Sequence, residues 1–332
     1  MSQEIHYLET GSQDPFYNLA FEETVLRSRR SGEYLLLWQN DNTIVIGQNQ
    51  NAEGEINRAF VEAHQIHVVR RTTGGGAVYH DLGNLNYSFI TDVGDAERLT
   101  MERFTRPIVE ALQGLGLQAE ASGRNDILVD GKKISGNSQY IKGNRTMHHG
   151  CLLYETKLDE MSKVLNVSNT KIISKGIKSV QSRVANIRSY MKEPMTMEEF
   201  KSHLVSYMSK REKIEKYMFS EEDIKGIEHL KASVYDTWEW NYGASPEYNV
   251  IKSKRFEECG EIKVFMVVKY GIIQKIQIYG DFFGCMDVSQ LTSLLEGCKL
   301  RIEDLRNVLG QCDIGRVIHN FSEEQFLELM ME

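Results

Sequence analysis

The densest run of residues that could do chemistry is 70–81, RRTTGGGAVYHD. Three successive glycines, Gly74, Gly75 and Gly76, let backbone N–H groups converge on an anion with no Cβ in the way. Arg70 and Arg71 add guanidinium groups that pair with phosphate or carboxylate oxygens two at a time. The plain alternative is a flexible loop beside two surface arginines, and composition alone leaves both open. The run is not a Walker loop, since no G-x-x-x-x-G-K-S/T occurs, nor a dinucleotide fingerprint, since no G-x-G-x-x-G follows a strand.

A second signal begins at Gly123-Arg124-Asn125-Asp126 and leads through a hairpin to 132–139, KKISGNSQ. A strand-borne lysine beside small residues is stiff enough to aim an ammonium at a reacting centre. Neighbours on a strand point to opposite faces, so only one of Lys132 and Lys133 can enter a site. Asp126 could hold Mg²⁺ through an oxygen, although a lone aspartate often serves only as a cap or turn former. The third signal is His148-His149-Gly150-Cys151 at the expected start of a strand. Adjacent histidines there face opposite ways and do not easily ligate one metal. Cys151 beside His149 invites a nucleophile reading, against which stands a buried structural thiol.

Folded elements have to hold these groups. Asp14-Pro15 reads as an N-cap followed by a proline at the first helical position, and Tyr17, Phe21 and Val25 continue a helix to about residue 29. Strands are expected at 34–38 and 43–46, a helix near 55–64, and a strand at 66–70. Leu85, Tyr87 and Phe89 alternate with Asn86 and Ser88, which predicts a half-buried strand. Residues 101–115 read as helix, and Asp130-Gly131 as a type I′ turn between strands at 127–129 and 132–135. Helices follow at 196–209 and 220–231, the latter opened by a capping box of Ser220 and Asp223. The charged stretch 210–216 reads as a solvated helix face. Strands at 262–269 and 272–279, joined at Tyr270-Gly271, precede helices ending at 323–331. That order suggests a small separate α+β unit. A chain of 332 residues suits two domains, expected at 1–246 and 247–332.

A formal net charge of −8 argues against general nucleic-acid binding, which needs a basic face. No run of 18 apolar residues is present, and the first residues lack the pattern of a signal peptide, so no membrane partner is expected. The five cysteines form no C-x-x-C pair. Free thiols fit a reducing, cytoplasmic setting.

Read together, these segments resemble the lipoate–protein ligase A family. The resemblance is carried by 70–84 (RRTTGGGAVYHDLGN), 122–126 (SGRND), 132–139 (KKISGNSQ), 148–153 (HHGCLL), 175–186 (KGIKSVQSRVAN) and 238–243 (WEWNYG), in that order along most of the chain. It implies an α+β fold: a biotin-ligase-like mixed β-sheet catalytic domain with flanking helices, plus a small α+β C-terminal domain. The implied reaction consumes lipoate and MgATP to form lipoyl-AMP, which a carrier lysine then attacks. ATP and Mg²⁺ serve as co-substrate, and no tightly bound prosthetic group is expected.

By the same resemblance, Lys133 is the catalytic lysine and touches both substrates. Arg71, Gly76, Ala77, Val78, Tyr79, Lys175 and Arg183 would bind ATP, with 175–183 closing over the adenylate. Arg70, Gly74, Gly75, His80, Ser135, Gly136 and His149 would bind lipoate, and Asp126 would hold Mg²⁺. Val78, Tyr79 and 85–89 are the expected walls of an apolar slot. Octanoate should be a weaker substrate there, since such a slot rejects a related chain poorly. Implied partners are the lipoyl domains of 2-oxoacid dehydrogenase acyltransferase subunits or the glycine-cleavage H protein.

One departure bears on the reaction class. Cys151 stands where the family commonly has a hydroxyl residue, and a cysteine-dependent octanoyl or lipoyl acyltransferase on the same fold is the alternative. The ATP-independent relatives carry their cysteine just upstream of the stretch matching 122–126. Gln118-Ala119-Glu120-Ala121 contains none, which favours the ligase. A non-catalytic lipoate-binding adapter is the other competing class.

Overall fold

The strand expected at 85–89 lies inside the largest sheet of a computed structural model, which describes residues 4–50, 52–93, 101–122, 125–165, 183–242 and 250–331. Its strands are β1 (Glu4–Glu9), β2 (Glu33–Trp38), β3 (Thr43–Ile46), β4 (His67–Arg70), β5 (Val78–His80), β6 (Asn84–Asp92) and β7 (Ala119–Ser122). They continue as β8 (Asp126–Val129), β9 (Lys132–Lys142), β10 (Arg145–Leu153), β11 (Lys213–Lys216), β12 (Val250–Phe256), β13 (Gly260–Lys269) and β14 (Ile272–Gly280). Among the described residues the large sheet runs β11-β1-β2-β6-β10-β9-β8-β7, with β11 and β2 parallel to β1 and the other pairings antiparallel. A small sheet, β4-β3-β5, carries the glycine run between two of its strands.

Apolar alternation sets the two faces of the large sheet. Leu85 and Tyr87 of β6 join Leu35 and Leu37 of β2, and the helices Met101–Gln113 and Met197–Met208 close this side with Ile108, Leu112, Phe200 and Leu204. The opposite face is covered by the helix Pro15–Ser28, whose Leu19, Phe21 and Val25 pack on Leu36, Trp38 and Met147. Asp14 caps that helix by accepting from the Phe16 and Tyr17 N–H groups, and Pro15 follows it as expected. Both expected capping positions also hold: Ser220 and Asp223 reciprocate at the start of Glu221–Leu230.

Several expectations need correction. The charged stretch 210–216 contains no solvated helix face; Lys213–Lys216 is an edge strand parallel to β1, its charges kept in water where they blunt the edge. The helix expected at 55–64 is two short helices, Ala52–Glu55 and Arg58–Ala63, the second capped by Asn57. His148 lies inside β10 rather than at its start. The strand β6 is buried on both faces, because Asn86 and Ser88 lie beneath the first helix and the glycine-run sheet instead of facing solvent.

Residues after 250 build their own three-stranded meander, β12-β13-β14, with helices Ser289–Leu295, Ile302–Leu309 and Glu323–Met331 over a separate apolar core that includes Ile262, Ile276, Leu305 and Phe326. Its hairpin has Tyr270 at φ 54° and Gly271 at φ 72°, the left-handed pair a type I′ turn demands. The expected boundary at 246 falls in residues 243–249, outside the described residues. No helix among the described residues is long and apolar enough to cross a membrane.

Candidate active site

The hairpin between β8 and β9 positions the lysine. Asp130 and Gly131 turn with φ of 49° and 74°. A bulge then shifts the register: Leu128 faces Lys133, but Ile127 faces Ser135, leaving Ile134 as the extra residue. Strict alternation would put Lys133 and Ser135 on one face. With the bulge, Ile134 enters the core, Ser135 is fully buried, and Lys133 lines a cavity while Lys132 stays exposed. Asp126 Oδ1 lies 2.7 Å from Lys133 Nζ. The backbone of Lys133 is held from the other side, its N–H donating to Arg183 O at 2.8 Å and its carbonyl accepting from Ala185 N at 3.0 Å.

The cavity is an open cleft with an internal volume of about 150 Å³. Lys133 and Gly136 form one side. Arg71, Gly75, Gly76, Ala77 and Val78 form another, and His80, His149 and Cys151 also line it. The structure thus brings most of the sequence-expected residues to one place.

Others lie apart from the cavity wall. Tyr79 points into a separate apolar cluster and donates to Asn42 and Glu160. Arg70 has its guanidinium committed to main-chain carbonyls of Gly47, Gln48, Gln50, Trp240 and Asn241. Gly74 packs under Phe282, and Ser135, within β9, is fully buried. Of the expected slot walls, Val78 lines the cavity, but β6 contributes Asn86 rather than Leu85, Tyr87 or Phe89. Lys175 and Arg124 fall outside the described residues.

Electrostatics gives the loop a fixed charge. Arg71 is buried and donates to Thr73 Oγ1, Val45 O, Gly74 O and Gly76 O at 2.8–3.2 Å. Burial pushes its pKa down to about 10, so it remains a cation at neutral pH. The arginine expected to grip an anion directly therefore spends most of its N–H groups holding the glycine loop in shape. His80 is pushed down to about 3 by burial, then by the Arg71 charge, and is neutral. Its Nδ1 sits 3.2 Å from Asn40 Nδ2, while Asn40 Oδ1 accepts from Asn18, so Nε2 carries the proton. That N–H has no partner among the described residues and lies at the cavity. Trp38 Nε1 and Asn86 Nδ2, cross-strand neighbours, are buried cavity donors in the same condition. Unpartnered buried donors imply a ligand or water that accepts from them.

His149 is fully engaged: Nδ1 lies 2.9 Å from Glu22 Oε1 and Nε2 2.8 Å from Thr73 Oγ1. Glu22 also accepts from Ser88. No ring nitrogen remains to take a proton from Cys151, whose thiol donates to Gly136 O at 3.8 Å. Sequence reasoning missed Glu22, Asn40, Asn86 and Asn137. Glu22 left one trace, a carboxylate at an apolar-face position between Leu19 and Val25. Asn137 stitches 125 to β9, exchanging bonds of 2.7–3.0 Å with Asn125; nothing in the local pattern marks it.

Residues 14–209 match the lipoyl protein ligase A/B catalytic domain, and residues 245–330 match the bacterial lipoate protein ligase C-terminus. The chain is 43% identical to lipoate–protein ligase 1 of Staphylococcus aureus over 318 residues, covering 96% of this chain and 97% of the relative. It is 44% identical to the lipoate-protein ligase LplJ of Bacillus subtilis over 322 residues, again covering 96% and 97%. Among solved structures, P. falciparum LipL1 in complex with lipoate superposes with a TM-score of 0.81 at 24% identity, over 98% of this chain and 97% of that one, a likeness of fold. A lipoate-protein ligase A bound with ATP gives 0.62 at 28% identity, over 73% of this chain and 99% of that one.

Proposed function

This chain belongs to the lipoate–protein ligase family, and from that membership we propose that the cavity between the glycine loop and β9 is where its acyl-adenylate forms. The protein is an ATP-dependent ligase that joins lipoate to protein. The observation that carries the site assignment is the convergence of Lys133 with Gly75–Gly76 and the fixed Arg71 charge on one cavity. A carboxylate is a poor acyl donor. Attack of its oxygen on the α-phosphorus of ATP expels pyrophosphate and leaves a mixed anhydride with a good leaving group. Negative charge on the phosphorus oxygens rises in that transition state, and the Lys133 ammonium and the buried Arg71 charge already in place stabilise it without reorganisation. A carrier lysine amine then attacks the acyl carbon, the anhydride C–O bond breaks, and AMP departs.

Asp126 suits a role beside Mg²⁺. One carboxylate with the substrate's own phosphates is the usual protein contribution to a magnesium–nucleotide site, and its Oδ1 pairs with Lys133 Nζ at 2.7 Å, beside the cavity that Lys133 lines. The ion would supply charge neutralisation at the phosphates. Among residues expected for lipoate, His80, Gly136 and His149 are supported by their place at the cavity, with Val78 and Leu19 as apolar wall. Octanoate fits the same wall as a weaker substrate. Arg70 acts as the clamp of the loop's base, and Arg183 as an anchor whose carbonyl accepts from the Lys133 N–H.

Carriers are proposed to be lipoyl domains of 2-oxoacid dehydrogenase acyltransferase subunits or the glycine-cleavage H protein. A bipartite lipoate protein ligase structure from Thermoplasma acidophilum is described with its E2 lipoyl domain, which supports the first. Five free cysteines support a reducing, cytoplasmic setting. We place the boundary between catalytic and C-terminal domains at about 246. Purified protein with MgATP, lipoate and a lipoyl domain should yield lipoyl-AMP and a carrier heavier by one lipoyl group, both read by mass. Absence of both products would remove the reading.

A further inference from the structure

The cavity has one lining residue that does not come from the catalytic portion. Among the described residues that line it, all lie between 19 and 151 except Phe283, which follows β14 in the C-terminal portion. The ring is 2% exposed. It stands so close over the loop that a Cβ on Gly75 would meet its Cε1 at 2.7 Å.

The main chain fixes this placement from both sides. Phe282 O accepts from Gly75 N at 3.1 Å, and Gly280 N donates to Asn49 O at 2.6 Å. A side chain at Gly74 would overlap Phe282 O, and one at Gly284 would overlap Val317 O. Phe283 O accepts from His319 N at 2.7 Å, tying the segment back to its own core. Two of the three glycines are therefore required by this approach of the C-terminal portion, as well as by any anion. The consequence is chemical. Gly75, Gly76 and Ala77 offer almost no bulk, so among the described residues along that edge Phe283 supplies the ring that can keep water from the cavity.

We propose that Phe283 seals the reaction cavity, so that the acyl-adenylate formed there reaches the carrier amine instead of hydrolysing. This rests on the ligase reading above. In the leak that the ring prevents, a water oxygen bonds to the acyl carbon, the anhydride C–O bond breaks, AMP leaves, and a proton passes to solvent, regenerating free lipoate. One ATP is then spent with no carrier modified. Excluding water from a reactive intermediate is a common use of an apolar closure.

The test is the ratio of AMP released to carrier modified, with full-length protein, MgATP, lipoate and a lipoyl domain. Wild type should stay near one. Phe283→Ala should keep lipoate-dependent ATP–pyrophosphate exchange within a few-fold and raise the ratio about fivefold or more. Without carrier it should release AMP faster than wild type. Tyr270→Ala, on the exposed hairpin of the same portion, should behave as wild type. If the alanine variant does not fold, Phe283→Val, which keeps an apolar contact but shortens the reach, is read by the same criterion. A wild-type ratio in an active variant, or loss of exchange itself, would overturn the seal. A wild type that makes no lipoyl-AMP would instead overturn the ligase reading.

Discussion

Lys133 and Lys132 are chemically identical neighbours, and strand alternation separates their roles. Lys133 reaches the cavity with Asp126 at 2.7 Å, while Lys132 is exposed at the hairpin end. Lys133→Ala should lose adenylation by roughly 10²–10³ in rate, the usual effect of removing one donor aimed at a developing anion. Lys132→Ala should stay within a few-fold. Pyrophosphate exchange measured on both variants decides, and equal losses would break the assignment. Cys151 is the other residue-scale test. A thioester route needs a base for the thiol, yet both nitrogens of His149 are occupied by Glu22 and Thr73. Cys151→Ser should keep ligation within a few-fold with MgATP and lipoate, and wild type should move no lipoyl group between carriers without ATP. An acyl-enzyme of the right mass on Cys151 would reverse this.

At the scale of elements, β10 presents one histidine to each side. His149 faces the cavity. His148 stacks on Phe104 of the helix Met101–Gln113, with ring centroids 5.0 Å apart, and its Nε2 lies 3.3 Å from Asn137 Oδ1. Burial, and secondarily the charge of His149, pushes His148 down to about 3. A histidine in the unfolded chain titrates near 6.5. Below that value the unfolded state takes a proton that the folded state refuses, so the stability tied to His148 is complete above about 6.5 and drains as pH falls toward 3. His80 acts in the same direction for the same reason. Urea midpoints should therefore drop between pH 7 and 4.5, and His148→Phe should flatten that slope. A variant with an unchanged slope would show that other groups set the acid limit.

For the whole molecule, the glycine loop is held by two contacts made far apart in sequence, and the second comes from the C-terminal portion. Arg70 at the foot of the glycine loop clamps the short helix Trp238–Asn241, which leads into 243–249, and the segment 280–283 returns to hold the loop from above. Interdomain contacts of this limited kind permit motion. Truncation after about residue 246 should leave the catalytic cores folded and impair adenylation more than transfer from supplied lipoyl-AMP. The two half-reactions measured separately check this, and normal adenylation by the shortened protein would remove the C-terminal portion from the mechanism.

What the sequence determined by itself was local and periodic. Asp14-Pro15, Ser220 with Asp223, and Asp130-Gly131 announce caps and turns because a few neighbouring dihedrals and hydrogen bonds decide them. The ordered motifs from 70 to 243 announced the family, since several long segments in one order arise by descent and not from composition. The tertiary structure decided what depends on partners distant along the chain. Lys213–Lys216 reads as a charged helix until β1 offers it an edge. Asn86 and Ser88 read as solvent-facing until the first helix covers them, and Arg70 reads as an anion ligand until five carbonyls from 47–50 and 240–241 surround it. The glycines carry the same lesson. Their freedom is visible in the sequence, but the carbonyl and ring that require it at Gly74 and Gly75 come from residues 282 and 283, over two hundred positions later, and only folding brings them within reach.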